Sequence, residues 1–123
     1  LLGMEFIAAT PKGYEIPNAP QNTQTHDSKE AVKNADVVYT DTWISMGDET
    51  EREEREKKFA PYQVNATLMK QAKKEAIFLH CLPAHRGQEV SAEVIDGEQS
   101  QVFPQAHARR DIARALLFQG LSS

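Results

Sequence analysis

Apolar residues along this chain fall into short runs of strand length, separated by polar, proline-marked turns and by stretches with a helical period. Residues 5–10 form the first strand candidate, stopped by Pro11 and Gly13. Residues 16–24 are polar, with Pro17, Pro20 and several amides, and read as loop. A short second strand passes through 23–26. Asp27 as N-cap, with Glu30 three residues on, then opens a helix ending near Asn34. Residues 36–40 are β-rich and end at Asp41. Charge dominates 48–58, where Glu51–Arg55, Glu53–Lys57 and Glu54–Lys58 are spaced for helical ion pairs. Because the signs alternate, this is a solvated helix before it is a docking surface. Asn65 caps a helix over 66–73, with Leu68, Met69 and Ala72 on its apolar face.

Residues 76–79 are apolar without alternation, as in a strand buried on both faces of a parallel sheet, and the run ends in His80, Cys81, Leu82 and Pro83. A loop over 84–88, a short helix over 91–95 broken by Gly97, and a last strand over 101–103 follow. Pro104 opens a final helix ending before Gly120, with Ile112, Ala113, Leu116 and Leu117 as one stripe and Arg110 and Arg114 facing outward. The alternation predicts a single α/β domain over 1–123: three-layer, doubly wound, with a mostly parallel, Rossmann-like sheet. One link does not fit. Parallel neighbours need about a dozen residues between them, usually helical. Between the first two strands the link is short and polar, so either those strands are not parallel neighbours or a segment is missing.

Composition narrows the class. Hydrophobic content of 40% and charged content of 26% are ordinary for a globular domain. A net charge of −4 without a basic face excludes a nucleic-acid partner. No apolar run is long enough to cross a bilayer, so no membrane partner is expected. The single cysteine favours a reducing compartment, cytoplasm or an organelle matrix, over secretion. Leu1-Leu2-Gly3 resembles the end of a helix with a glycine cap, which suggests a chain cut from something longer.

Three strand ends carry candidate chemistry. Asp41, Ser45, Met46 and Gly47 could grip an ammonium group, the carboxylate supplying charge and Ser45 with the Met46 backbone supplying direction. The same residues also fit a turn in which Asp41 caps backbone amides. His80 and Cys81 are neighbours on a strand and point to opposite faces, so His80 is not placed to be the base for Cys81. Cys81 is either a site thiol or a buried structural one. The histidines lack ligand spacing, so no metal is expected. Arg109, early in the last helix, is an anion-binding candidate or one more solvent-facing arginine.

Taken together, Asp-Thr-Trp-Ile-Ser-Met-Gly at 41–47 and His-Cys-Leu-Pro at 80–83 resemble the ornithine-loop and cysteine motifs of ornithine carbamoyltransferases. Supporting matches are the runs at 9–15 and 30–41, Tyr62-Gln63-Val64, and 102–106 followed by Arg109. The resemblance spans essentially the whole chain. It implies the ornithine-binding, carboxyl-terminal domain of a two-domain enzyme that moves a carbamoyl group from carbamoyl phosphate to L-ornithine, giving citrulline and phosphate. By the same resemblance Asp41, Ser45 and Met46 hold L-ornithine. Cys81, Leu82 and Arg109 meet carbamoyl phosphate, with Cys81 and Asp41 in the chemical step. No cofactor is implied, and the family forms homotrimers. The family's Ser-Thr-Arg-Thr and His-Pro motifs are absent here, so the amino-terminal carbamoyl-phosphate domain is expected to be missing and the chain alone inactive. His107-Ala108-Arg109 stands where the family usually has Glu-Asn-Arg. Rival readings are a transferase for putrescine or N-acetylornithine, and a non-catalytic amino-acid-binding module.

Overall fold

The computed structural model describes residues 3–20, 22–44 and 52–122. The expected helix end at 1–2, the turn carrying Ser45, Met46 and Gly47, and Glu51 with its pair to Arg55 lie outside them. Two parallel strand pairs organise the chain. Strands β1 (Ala8–Ala9) and β2 (Gln24–Thr25) form one, and β3 (Val37–Thr40) and β4 (Ile77–His80) the other. The helices are α1 (Ser28–Val32), α2 (Arg52–Phe59), α3 (Ala66–Met69), α4 (Ala92–Ile95) and α5 (Val102–Leu121). The α/β, parallel-stranded expectation therefore holds.

The suspect link resolves in favour of pairing. Strands β1 and β2 are parallel neighbours although the described residues between them hold no helix. The crossover is built from turns instead: Tyr14 N–H reaches the Pro11 carbonyl, Ala19 N–H that of Ile16, and Thr23 N–H that of Pro20. The Gln24 side chain closes the excursion by bonding both the N–H and the carbonyl of Ile16. Tyr62 then ties the two strand ends together, its hydroxyl lying 2.7 Å from the His26 carbonyl and 3.0 Å from that of Thr10.

Helix α1 starts as its sequence requires, with Asp27 Oδ1 accepting from the N–H groups of Lys29 and Glu30. Glu30, however, accepts from the Thr25 hydroxyl, and it is Thr25 that accepts the Asp27 N–H. Asn34, at φ +59°, ends the turn, and Val37–Thr40 pairs in register with Ile77–His80. Asn65 caps α3 through Leu68 N–H, although the helix stops at Met69, short of the expected Lys73.

Two expectations at the carboxyl end are overturned. Residues 101–103 are not a strand, because α5 already begins at Val102. The third strand position beside β4 falls earlier, at Ser100, where Phe78 bonds the Gln99 carbonyl and the Gln101 N–H. Pro104 sits in the first turn, where a missing N–H costs nothing, so it does not mark the helix start. Gly120 does not stop the helix either, since α5 continues to Leu121.

Core packing centres on β4. Phe78 and Val90 are fully buried, with Val32, Val38, Val64, Leu68, Met69, Val94, Ile95 and Val102 around them. Only the first residue of α5, Val102, is buried. The expected stripe is uncovered, with Ile112, Leu116 and Leu117 between 61% and 65% exposed.

Candidate active site

The site forms where β3 and β4 end side by side, because register sets Thr40 opposite His80 and so delivers Asp41 and Cys81 to neighbouring positions. The Cys81 thiol donates to Asp41 Oδ1 at 2.8 Å, and the same oxygen accepts Thr42 N–H at 2.7 Å. The turn-capping reading of Asp41 is thus partly right, but the carboxylate also grips the thiol. Cys81 is half-buried, not sealed in the core. Burial pushes its thiol up from the ordinary range, and the hydrogen bond to Asp41 pushes it further. Cys81 is therefore protonated at neutral pH and is not a ready nucleophile.

Arg109 joins from α5, its Nη1 donating to the Cys81 carbonyl at 2.7 Å. Its side chain is exposed beyond that contact, and a guanidinium with donors to spare can still take an anion. The structure thus brings together Asp41, Cys81, Leu82 and Arg109. Ser45 and Met46 lie outside the described residues.

His80 is buried where Cys81 is half-exposed, although a ring nitrogen of His80 still comes within 4.8 Å of the Cys81 sulfur. Its Nδ1 accepts Leu82 N–H at 2.8 Å and its Nε2 meets Glu89 Oε1 at 3.1 Å. Leu82 itself is held at φ +56°, a region that non-glycine residues seldom occupy. Sequence reasoning missed Glu89, Gln105 and Tyr39. Gln105 accepts the His80 N–H at 3.0 Å. Burial pushes the Tyr39 phenol up, and Cys81 beside it adds to the effect. Glu89 had no signal in the sequence, because His80 at a strand end was expected to face a ligand; it is buried instead, and a buried histidine needs a polar partner.

Donor atoms of Asp41, His80 and Cys81 lie within 4.8 Å of one another, a set of types that suits a divalent cation. Each of these side chains already has a hydrogen-bond partner from the protein. A groove of about 390 Å³ runs from β1 along β3 and reaches Asp41 and Trp43, though Cys81 and Arg109 do not line it. Phe59 and Trp43 line it with ring centres 6.1 Å apart, and Phe59 also meets Tyr14 edge-on at 4.9 Å.

Residues 1–119 match the family described as aspartate/ornithine carbamoyltransferase, Asp/Orn binding domain. The chain belongs to that family. Among curated members, the ornithine carbamoyltransferase of Caldicellulosiruptor saccharolyticus is 53% identical over 94% of this chain, and that of Methanobrevibacter smithii 52% over 98%. This chain spans only 42% and 44% of their lengths. The solved ornithine carbamoyltransferase from Pyrococcus furiosus superposes with a TM-score of 0.85 at 48% identity, covering 94% of this chain and 41% of that one. The alignment with the first relative runs to 129 positions, more than the 123 residues here, so the carbamoyltransferase relative carries residues that this chain lacks. Among the described residues no helix is long and apolar enough to cross a membrane.

Proposed function

We propose that this chain is the L-ornithine-binding domain of an ornithine carbamoyltransferase, spanning 1–123, whose remaining length supplies the carbamoyl-phosphate half. The observation carrying this reading is the convergence of Asp41, Cys81 and Arg109 on one strand-end turn. In the reaction, the neutral δ-amino group of L-ornithine attacks the carbamoyl carbon of carbamoyl phosphate. A tetrahedral centre forms, the carbon–oxygen bond to phosphate breaks, and the amine loses a proton, leaving citrulline and phosphate.

Each group has a part in that scheme. Asp41, Ser45 and Met46 hold L-ornithine. Contact with Cys81 supports a role for Asp41 at the reacting amine as well as at the charged end of the substrate. The protonated Cys81 orients the amine and the carbamoyl group, with the Leu82 carbonyl as a second acceptor. Arg109 neutralises charge on the departing phosphate while anchored to the Cys81 carbonyl. Most of the acceleration comes from alignment and charge stabilisation, and no covalent enzyme intermediate is needed. The assembled enzyme is a homotrimer of the cytoplasm or an organelle matrix.

Citrulline formation by the full-length parent tests this, with ornithine, putrescine, N-acetylornithine and aspartate offered in parallel. Ornithine is expected to be the preferred acceptor, and preference for any other overturns the assignment. The isolated chain is expected to form no citrulline above background, since the phosphate motifs are absent from it.

A further inference from the structure

Two polar residues are buried in the core among the described residues, His80 and Glu89, and they touch each other. An acid buried to 0% exposure costs several kcal/mol unless something compensates it, so its placement calls for a role. Oε1 of Glu89 accepts the His85 N–H at 2.6 Å in addition to His80 Nε2. Oε2 has no hydrogen-bond partner among the described residues, and His85 Nδ1 at 3.8 Å is beyond bonding range.

The geometry fixes the proton on His80. A backbone N–H cannot turn into an acceptor, so the 2.8 Å contact with Leu82 N–H makes Nδ1 the acceptor. A doubly protonated ring would set two N–H groups against each other there. The ring is therefore neutral, with its single proton on Nε2 and aimed at Glu89. The pair is a hydrogen bond from a neutral imidazole to a carboxyl group, despite its ion-pair spacing. Leu82 N–H is in turn what His80 holds, at a residue kept at φ +56°.

We propose that Glu89 and His80 are positioning residues: Glu89 holds His80 in its Nε2–H tautomer, and the freed Nδ1 holds the Cys81–Leu82 turn in its left-handed backbone conformation. Strain at a left-handed leucine persists only where its surroundings over-determine it. Here the surroundings are a chain of three groups running from the buried Glu89 and His80 to the half-buried Leu82 in the turn that carries Cys81. Neither residue touches the reacting atoms. Their effect on rate passes through the direction of the Leu82 and Cys81 backbone groups, and this rests on the carbamoyltransferase reading above.

Two isosteric substitutions separate the ends of the chain. Asn at 80 keeps an acceptor near the place of Nδ1, for Leu82. Gln at 80 keeps a donor near the place of Nε2, for Glu89. In the full-length enzyme His80→Gln and Glu89→Ala are expected to lower kcat about 10- to 100-fold, with smaller changes in either KM. His80→Asn should lose markedly less than His80→Gln at similar Tm. A purely space-filling role predicts no such order, and equal losses in the two variants overturn the proposal. A second measurement needs no activity. Ring nitrogen chemical shifts of labelled His80 should report the Nε2–H tautomer in the unmodified protein and a mixture in Glu89→Ala. A Nδ1–H or doubly protonated ring in the unmodified protein overturns the positioning role. If the parent forms no citrulline with any acceptor, the functional reading fails by itself, and the ring spectrum still decides the positioning.

Discussion

The Cys81 thiol and the Thr42 amide share one oxygen of Asp41, at 2.8 and 2.7 Å. One carboxylate thus braces the ends of both central strands and adds to the burial that favours the protonated thiol.

Alkylation reads that state directly. Burial and Asp41 both raise the Cys81 pKa, so the reactive thiolate appears only at higher pH than for a free cysteine. Iodoacetamide should therefore react slowly near neutral pH, with a rate that climbs at more alkaline pH. Asp41→Asn removes one of the two causes, and the midpoint of the rate profile should move down. A midpoint in the ordinary cysteine range for the unmodified protein would contradict the geometry.

For substrate binding, Asp41→Asn in the full-length enzyme should weaken ornithine far more than carbamoyl phosphate. Removing a charge-assisted contact of this type costs about 1.5–3 kcal/mol. Calorimetry with each substrate measures the split, and unchanged ornithine affinity returns Asp41 to turn capping alone.

Cys81→Ser should lower turnover while leaving the fold intact, because the side chain is half-buried and its bonds point to Asp41, not into the core. Single-turnover kinetics should place the loss in the chemical step. Trapping a carbamoylated Cys81 would rule out direct attack by the amine.

Phe78 is the stability counterpart. Fully buried between β3 and the segment at Ser100, it should cost about 3–5 kcal/mol when truncated to alanine. Since a whole domain is stable by only about 5–15 kcal/mol, urea unfolding of the variant should lose most of its native baseline.

Much of this was legible in the sequence where a local signal agreed with the tertiary outcome. Asp27 and Asn65 cap their helices because a cap needs only its own next turn. The apolar run before His80 read correctly as a strand for a similar reason. Val102 and Phe103 misled because β-branched and aromatic residues favour strands only when there is an edge to pair with. Here that edge position is taken by residues 99–101, and the chain has already turned into α5. The pairing of β1 with β2 was not legible either, since it depends on Gln24 and Tyr62 reaching across turns. Motif residues Asp41, Cys81 and Arg109 were visible, whereas Glu89 looked like any loop acid. Its importance comes from where the chain folds it, nine residues from a histidine it meets face to face.

Helix α5 has a mechanical implication. Its 20 residues make a strut about 30 Å long, buried only at Val102 and bonded to the active turn through Arg109. A rod held near one end behaves as a cantilever. A displacement of the exposed end at Leu116, Leu117 and Phe118 would tilt the turn that carries Arg109, and with it the guanidinium on the carbonyl of Cys81.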